Sequence, residues 1–548
     1  MRPSPEPRGP RSLAARHGPF LVLLLAFLAF AWVTRFQWGL TTDEPDVYLR
    51  GMRLAQYFQG QNRDVLTPKV FYADGDGDLL YCHLYALLLY PFNPSLQAST
   101  AHFLNLAFAG LLLLAGYGLL WSVTRSKWMS LLGPAFLILS PRLFGNLPND
   151  PKDGAFAVVY LLALAWIVVS APRRPWIRCV LGALLTGLAV SLRPMGATIP
   201  FLYALHHAWE NRIHPKKPKG TGPQGKAVLV EPALMAAGGF VLLLAFWPYL
   251  LQDFPSHLLP LIQRTLAFPH GGTELFFGRN IPVGQFPWWY WTAWLGLGTP
   301  VFLLALSVLG LVGLGSLGSH PAGRLTAAAL VLNLLALTLL RPVCYDTMRH
   351  FLFLWPILSI VAALALTGLW AKWKRVPRAL LAALTMAGAL SAGIDLVALH
   401  PYQSLYYSEW VGGLQKVEDR FPTDYWGASL GEGLGWLSQN ELTDQAKTYH
   451  VAFCGVTAVP AVYYLPTNAK WTALPEEADY FVGTSCAEDP PLAYAQLIHQ
   501  VVREGLPLLS IYRLPKLPMP PPRKSPPPGA RSRTGPLPTR APGGPSPP

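Results

Sequence analysis

The sequence predicts a polytopic α-helical membrane protein with a small α/β domain after its last membrane helix. The chain has 548 residues, of which 52% are hydrophobic and only 13% are charged. Soluble domains usually carry about 25% charged residues. About eleven apolar segments have a length suited to a bilayer. Short Lys/Arg-rich loops separate them on one side only, which is the pattern of cytoplasmic loops in membrane proteins.

The first membrane segment follows a basic N-terminus, residues 1–17, which we expect on the cytoplasmic side. Its apolar run continues to Arg35, which favours an uncleaved anchor over a secretory signal. Residues 37–99 then form an external loop. Within this loop the stretch "LLYCHLYALLLYPF" is short and aromatic, which is typical of an interfacial or re-entrant helix.

The middle of the chain alternates apolar spans with basic inner loops and polar outer loops. The run from Cys179 to His207 is too long for one span, and Arg193–Pro194 interrupts it. We therefore expect two short helices with Arg193 at the outer turn. Residues 252–288 form a second external loop, and the last span ends near Leu399, so the membrane domain covers residues 18–399.

Residues 400–514 are expected to form the small external α/β domain. The stretches "TYHVAFCG", "ADYFVGTS" and "LPLLSIYRL" are rich in β-branched and aromatic residues and predict strands. The stretches "WGASLGEGLGWLSQN" and "PPLAYAQLIHQVVREG" predict helices, the second ending at Gly505. The Pro- and Arg-rich tail, residues 515–548, cannot form a core and is predicted to be disordered.

The net charge of +14 does not indicate nucleic-acid binding. Six of the basic residues lie in the tail, and others lie in the inner loops, where membrane topology explains them. We expect membrane lipid as a partner and no nucleic acid.

Five polar motifs, "TTDEPDVY", "PNDPKD", "SLRP", "FPHGGTELF" and "YDTMRH", fall at the outer ends of spans or in outer loops. Ionisable residues at membrane depth are costly and mark function. A carboxylate can take the proton of a hydroxyl acceptor, and arginine can hold a phosphate leaving group. The candidate catalytic carboxylates are Asp43, Glu44, Asp150 and Asp153; the candidate phosphate-binding residues are Arg349, His350, Arg193 and Lys152; the candidate acceptor or loop contacts are His270, Glu274, Asp424 and Tyr425.

Each candidate also has a purely structural interpretation. Asp43–Glu44 and Asp153 stand where carboxylates cap helix starts. Arg193 and Arg349 could anchor helix ends at the headgroups. His270 and Glu274 leave a divalent metal open as a cofactor.

Several longer motifs resemble the GT-C superfamily of polyprenyl-phosphate-dependent glycosyltransferases, in particular the bacterial relatives of dolichyl-phosphate-mannose protein mannosyltransferases. Besides the "DE" pair, the motifs that carry the resemblance are "SPRLFGNLPNDPKDGAF", "FPWWYWTAWLGLGTP", "YDTMRHFLFLWP" and "HPYQSLYYSEWVGG…FPTDYWGASLGEGLGWL". They occur in the same order as in that family, and the resemblance covers roughly residues 36–514.

The resemblance implies an inverting transferase of the bacterial inner membrane. Asp43 would be the general base, assisted by Asp150 or Asp153, and Arg349–His350 would face the phosphate of a polyprenyl-phosphate-linked sugar. The active face and the C-terminus would be periplasmic. The sugar, and whether the acceptor is a glycan, a lipid or a protein, stay open. A transporter or lipid flippase is the alternative, followed by a non-catalytic envelope scaffold.

Overall fold

The computed structural model describes residues 13–61, 63, 83–95, 97–213, 225–266, 272–313, 317–424, 426–454, 458–484 and 494–515. These residues form a helical membrane domain followed by a sheet domain, as the sequence predicts. Within the described ranges, seven helices are long and apolar enough to cross a membrane, and three shorter apolar helices accompany them. The number of crossings therefore stays a prediction.

The membrane domain contains seventeen helices within the described ranges. The first eight are α1 (Leu13–Thr34), α2 (Glu44–Phe58), α3 (His83–Leu89), α4 (Ala98–Thr124), α5 (Leu132–Ile138), α6 (Pro141–Asn146), α7 (Asp153–Val169) and α8 (Pro175–Leu192). The others are α9 (Thr198–Ile213), α10 (Ala227–Ala245), α11 (Pro248–Gln252), α12 (Leu258–Leu266), α13 (Tyr290–Leu297), α14 (Val301–Leu311), α15 (Pro321–Leu340), α16 (Leu354–Lys372) and α17 (Arg375–Ala398).

The expected interruption at Arg193–Pro194 is confirmed. Helix α8 ends at Leu192, Arg193 has an extended backbone with φ −151°, and α9 begins at Thr198. Proline disfavours helical backbone in the residue before it, so the break follows directly from the sequence. It places Arg193 in the break between two helices rather than inside a span.

Helix α16 is buried on nearly all sides, whereas α1 and α17 face outward. All three are apolar around their circumference, because a helix surface must be apolar whether it faces lipid or the protein interior. Helix α7 is also almost fully buried and packs along α4. The ends of the buried helices α7 and α16 therefore stand in the middle of one end of the bundle.

Within their described residues, both predicted external loops contain regular secondary structure. The first contains α2 and α3, and the second contains α12 and a hairpin of β1 (Thr273–Phe276) and β2 (Arg279–Pro282). The stretch expected to be an interfacial or re-entrant helix contains helix α3, and its start lies outside the described residues; its position at the membrane surface stays a prediction.

The C-terminal domain has a five-stranded mixed sheet, β3 (Tyr449–Cys454), β4 (Ala469–Trp471), β5 (Tyr480–Gly483), β6 (Gln496–Arg503) and β7 (Leu506–Arg513), in the order β4-β3-β5-β7-β6. Strand β3 is parallel to β4 and β5, and β7 is antiparallel to β5 and β6. Helices α18 (Leu430–Asn440) and α19 (Ala458–Val462) complete it. The three predicted strands and the first predicted helix are confirmed.

The second predicted helix is wrong, because residues 496–503 of that stretch form strand β6. Glu504 and Gly505 have φ of 48° and 79°, and they turn β6 directly into β7. Two consecutive residues with positive φ make a tight hairpin that aligns the strands. The sequence signal was the Glu–Gly pair after β-branched Val501 and Val502.

The C-terminal domain packs directly on the segment between α1 and α2. Thr42 donates a hydrogen bond from Oγ1 to the carbonyl of Trp426 at 3.3 Å. The Gly39 backbone lies so close to Ala428 that a Cβ at position 39 would stand 1.8 Å from the Ala428 carbonyl oxygen. Gly39 is therefore a contact that joins the two domains beside Asp43.

We expect Gly39→Ala to destabilise the protein by about 1–3 kcal/mol, because the added methyl group meets backbone rather than a movable side chain. The measurement is the unfolding midpoint of the purified protein in detergent. Gly118→Ala in α4 is the matched control, since nothing lies within 4 Å of its added Cβ. Equal midpoints for the two variants would contradict the close approach.

Candidate active site

Asp43 lies at the start of α2, but it does not cap that helix. Its side chain makes no capping hydrogen bond. Instead, Asp43 Oδ2 accepts a hydrogen bond from Arg349 Nη1 and lies 3.8 Å from Lys152 Nζ. The side chain keeps 29% of its surface exposed. The capping interpretation is therefore wrong for Asp43, which faces two cations and solvent.

The neighbouring Glu44 has a different environment, although it has the same charge. It is completely buried, and Glu44 Oε2 accepts the Thr41 backbone N–H at 2.7 Å. Glu44 Oε1 lies 2.9 Å from His102 Nε2. The carboxylate of Glu44 thus holds the loop against α4, whereas Asp43 is the partly exposed member of the pair.

A second carboxylate pair comes from the loop before α7. Asp153 Oδ1 accepts a hydrogen bond from Arg193 Nε at 2.5 Å. Asp150 Oδ1 accepts the Asp153 backbone N–H at 2.9 Å, so Asp150 supports the start of α7. Thr41 Oγ1 donates to the Asn149 carbonyl at 2.8 Å and joins this loop to the first one.

Arg349 is the central cation of the site and is almost fully buried. Its Nη2 donates to Asp346 Oδ2 at 2.8 Å, while its Nη1 contacts Asp43. The guanidinium lies 4.7 Å from the Tyr345 ring centroid and 5.1 Å from that of Trp426. Arginine stacked and paired in this way is held in one orientation.

The charges of the site influence one another. Burial alone would raise the pKa of Asp43, but Arg349, Lys152 and Arg193 outweigh it and hold the pKa well below its ordinary value. For Asp150, burial and the neighbouring Asp153 raise the pKa well above its ordinary value. The site therefore holds an ionised carboxylate beside a carboxyl that favours its neutral form.

Two guanidinium groups of the site each have a buried N–H donor without a hydrogen-bond partner among the described residues. Arg349 Nε and Arg193 Nη2 are buried and have no hydrogen-bond partner within the described part of the chain. Buried donors are nearly always satisfied by protein, water or ligand. Phosphate oxygens accept strong, charge-assisted hydrogen bonds from guanidinium groups.

The structure brings together Asp43, Asp150, Asp153, Arg349, Arg193 and Lys152 from motifs that are far apart in sequence. His350 is partly buried beside them, with its ring 4.6 Å from that of Tyr345. Asp424 lies next to Trp426, but both its oxygens accept hydrogen bonds from the turn before α18, from Ala428 N and Ser429 N at 2.9 Å each. His270 and Tyr425 lie outside the described residues.

Glu274 is close to the site but makes its contacts elsewhere. Its Oε1 lies 2.7 Å from the Tyr290 hydroxyl, and its Oε2 accepts a hydrogen bond from the Thr347 backbone N–H. Among the described residues, no group of three or more His, Cys, Asp or Glu side chains is placed to hold a metal.

Sequence reasoning missed three contributors, Asp346, His102 and Tyr290. Asp346 stood within a quoted motif, and its spacing of three residues from Arg349 is a usable signal, because such neighbours meet in a tight turn. His102 and Tyr290 gave no signal, since their partners Glu44 and Glu274 are distant in the chain.

No family model matches the chain, and no curated protein sequence matches it. Among solved structures, the chain is similar to ArnT from Cupriavidus metallidurans in the apo state, with 11% identity, a TM-score of 0.49, and 90% of this chain and 98% of that chain covered. It is also similar to ArnT from the same organism bound to undecaprenyl phosphate, with 11% identity, a TM-score of 0.43, and 91% and 98% covered. Similarity at this level supports no argument about the chemistry of the chain.

We expect the Asp153–Arg193 contact to be strongly coupled, because each residue alone would be a buried, unpaired charge. Asp153→Asn or Arg193→Gln should each cost about 3–5 kcal/mol of unfolding free energy. The double substitution should cost about 1–3 kcal/mol less than the sum. The measurement is a double-mutant cycle of unfolding in mixed micelles.

The partly exposed pair Arg503–Glu432 in the C-terminal domain provides the control, at about 1 kcal/mol or less. Additive costs at Asp153 and Arg193 would show that the two charges do not depend on each other.

Proposed function

We propose that the chain is a membrane glycosyltransferase of the GT-C type, which moves a sugar from a polyprenyl phosphate to a hydroxyl acceptor with inversion. The observation that carries this proposal is the contact between Asp43 and Arg349, with Lys152 alongside. It combines a carboxylate that can accept a proton with cations that can hold a phosphate, at a point reached from solvent. The motifs that resemble the GT-C superfamily agree with it.

In the proposed reaction, Asp43 takes the proton of the acceptor hydroxyl. The acceptor oxygen then attacks the anomeric carbon from the face opposite the phosphate, and the carbon–oxygen bond to the phosphate breaks. The electron pair stays on the phosphate oxygen, where Arg349 and Arg193 stabilise the charge. A phosphate leaving group needs no protonation, so one carboxylate suffices, unlike the pair that glycosidases generally use.

The position of the site suits a lipid-borne donor. Asp43 follows α1, Asp153 begins α7, Arg193 follows α8, and Arg349 precedes α16. All four therefore stand at helix ends rather than at mid-span. A transporter places its polar groups near the membrane midplane, and a scaffold has no need of buried, unsatisfied arginine donors. Both alternatives explain the site less well.

We propose further that the site and the C-terminal domain face the periplasm of a bacterial inner membrane, with residues 1–17 in the cytoplasm. The support is the Lys/Arg bias of the loops. The sheet domain contacts the Asp43 segment through Thr42 and Trp426, so it must lie on the same face as the site.

The first test is sugar transfer by Asp43→Asn. Loss of a general base lowers reaction rates by about 10²–10⁴-fold. We expect a decrease of this size in the rate of sugar transfer, measured in membranes supplied with polyprenyl-phosphate sugars. Binding of undecaprenyl phosphate should persist, because the cations remain.

Asp46→Asn is the matched control. Asp46 is as exposed as Asp43, at 32%, and pairs with Arg50 one turn along α2 instead of with the site. If Asp46→Asn lost as much activity as Asp43→Asn, or if Asp43→Asn transferred sugar normally, Asp43 would not be the base.

A second test uses pH. In the free protein, the depressed pKa of Asp43 keeps it ionised, and kcat/KM should fall only as the pH drops through that low value. Donor phosphate draws Arg349 towards itself, so the pKa of Asp43 rises. The acid limb of kcat should therefore lie about 1–3 pH units above that of kcat/KM.

In Arg349→Met we expect the two acid limbs to coincide at the higher pH. If the acid limbs of kcat and kcat/KM coincided in the wild type, Arg349 would remain paired with Asp43 during turnover.

A further inference from the structure

The segment before Arg349 has an unusual backbone. Asp346 and Thr347 have φ of 56° and 65°, which is the left-handed region. Residues other than glycine rarely adopt this backbone conformation, and β-branched residues such as threonine do so least often. Two consecutive residues of this kind persist only where the surroundings impose the conformation. The Asp346–Thr347 turn is what directs Asp346 and Arg349 towards each other and Arg349 towards Asp43.

Glu274, in β1, is the group that holds this turn from outside. Its Oε2 accepts the Thr347 backbone N–H at 2.8 Å. Its Oε1 lies 2.7 Å from the Tyr290 hydroxyl, which also lies 3.0 Å from the Thr347 carbonyl oxygen. Glu274 and Tyr290 thus bind both polar backbone groups of Thr347, although they come from the hairpin and from α13.

A count of hydrogens shows how this cluster is satisfied. The Tyr290 hydroxyl has one hydrogen but two oxygens within reach, Glu274 Oε1 and the Thr347 carbonyl. If Glu274 is protonated, its O–H donates to the Tyr290 hydroxyl and Tyr290 donates to the Thr347 carbonyl, so both oxygens near the Tyr290 hydroxyl take part in a hydrogen bond. Burial raises the pKa of Glu274 to about 7, in agreement with this arrangement. The ionisable groups facing Glu274 are Asp346, Cys344, Tyr290 and Tyr407.

We propose that Glu274, acting as a neutral hydrogen-bonding group, is a positioning residue that fixes the Asp346–Thr347 turn and through it the Arg349–Asp43 contact. Its importance for catalysis rests on the proposed function. In this role it acts through the turn and not on the reacting groups. The hairpin is anchored in turn by the Gly278 N–H, which donates to the Arg420 carbonyl at 3.0 Å, and by Phe276 against Tyr290. The external loop therefore supports the base through a continuous set of contacts.

Cys344 gives a test that needs no enzymatic activity. This thiol is buried, with 3% of its surface exposed, and stands three residues before Thr347. We expect Glu274→Ala to free the turn and raise the rate of N-ethylmaleimide labelling at Cys344 about tenfold or more. Glu274→Gln should label like the wild type, because its amide donates to Tyr290 and its carbonyl accepts the Thr347 N–H. Cys179, read from the same digest by mass spectrometry, is the internal reference.

Glu441→Ala is the matched control. Glu441 also contacts a tyrosine hydroxyl, that of Tyr480 at 2.8 Å, but it lies in the C-terminal domain. We expect Cys344 labelling in this variant to match the wild type. If Glu274→Ala cannot be purified folded, Tyr290→Phe decides, because it removes the link to the Thr347 carbonyl without a cavity; raised labelling supports the proposal and unchanged labelling overturns it.

Transfer kinetics give the second readout. Glu274→Ala should lower kcat about 10- to 100-fold with little change in KM, as displaced positioning groups do, and should move the acid limb of kcat/KM to higher pH as Arg349 leaves Asp43. Glu274→Gln should restore both.

Normal labelling and kinetics in Glu274→Ala, or a Gln variant as defective as the Ala variant, would overturn the proposal. A wild type without transferase activity but with the expected labelling pattern would count against the proposed function alone.

Discussion

A buried guanidinium is the constraint on which the site depends. Removing the charge of Arg349 from water costs several kcal/mol unless carboxylates and hydrogen bonds replace the hydration. Asp43 and Asp346 supply that compensation, and the rings of Tyr345 and Trp426 cover the rest of the group. Since these residues come from the first loop, the turn before α16 and the C-terminal domain, one charge requires three distant segments to meet.

The same requirement explains which features the sequence could predict. The break at Arg193–Pro194 depends on one dipeptide, and the apolar spans depend on composition, so both are visible locally. Asp43 and Glu44 are adjacent and alike in charge, yet one helix position separates a side chain facing Arg349 from one facing His102. Composition carries no information about that direction. Strand β6 was mistaken for a helix because its partner β7, rather than its own pattern, decides its conformation.

The residues of the candidate site divide into groups that face solvent and groups that hold them. Glu44 holds the first loop, Asp424 holds the turn that carries Trp426, and Glu274 holds the turn that carries Arg349. Each is a buried carboxyl group that accepts a hydrogen bond from a backbone N–H group. The sequence motifs mark all of them as candidates, because the sequence alone does not distinguish a carboxyl group that shapes a turn from one that reacts. Only their partners separate the two roles.

The pairing of Asp43 with Arg349 also bears on the order of events under the proposed function. While Arg349 is bound to it, Asp43 is a weak base, because the cation stabilises its ionised form. The unsatisfied Nε of Arg349 and Nη2 of Arg193 offer a phosphate a place to bind without first breaking either ion pair. Once bound, the phosphate competes with the carboxylates for the same guanidinium groups. Donor binding therefore raises the basicity of Asp43 before the acceptor hydroxyl has to lose its proton. An acceptor that binds before the donor finds Asp43 still paired with Arg349 and therefore weakly basic.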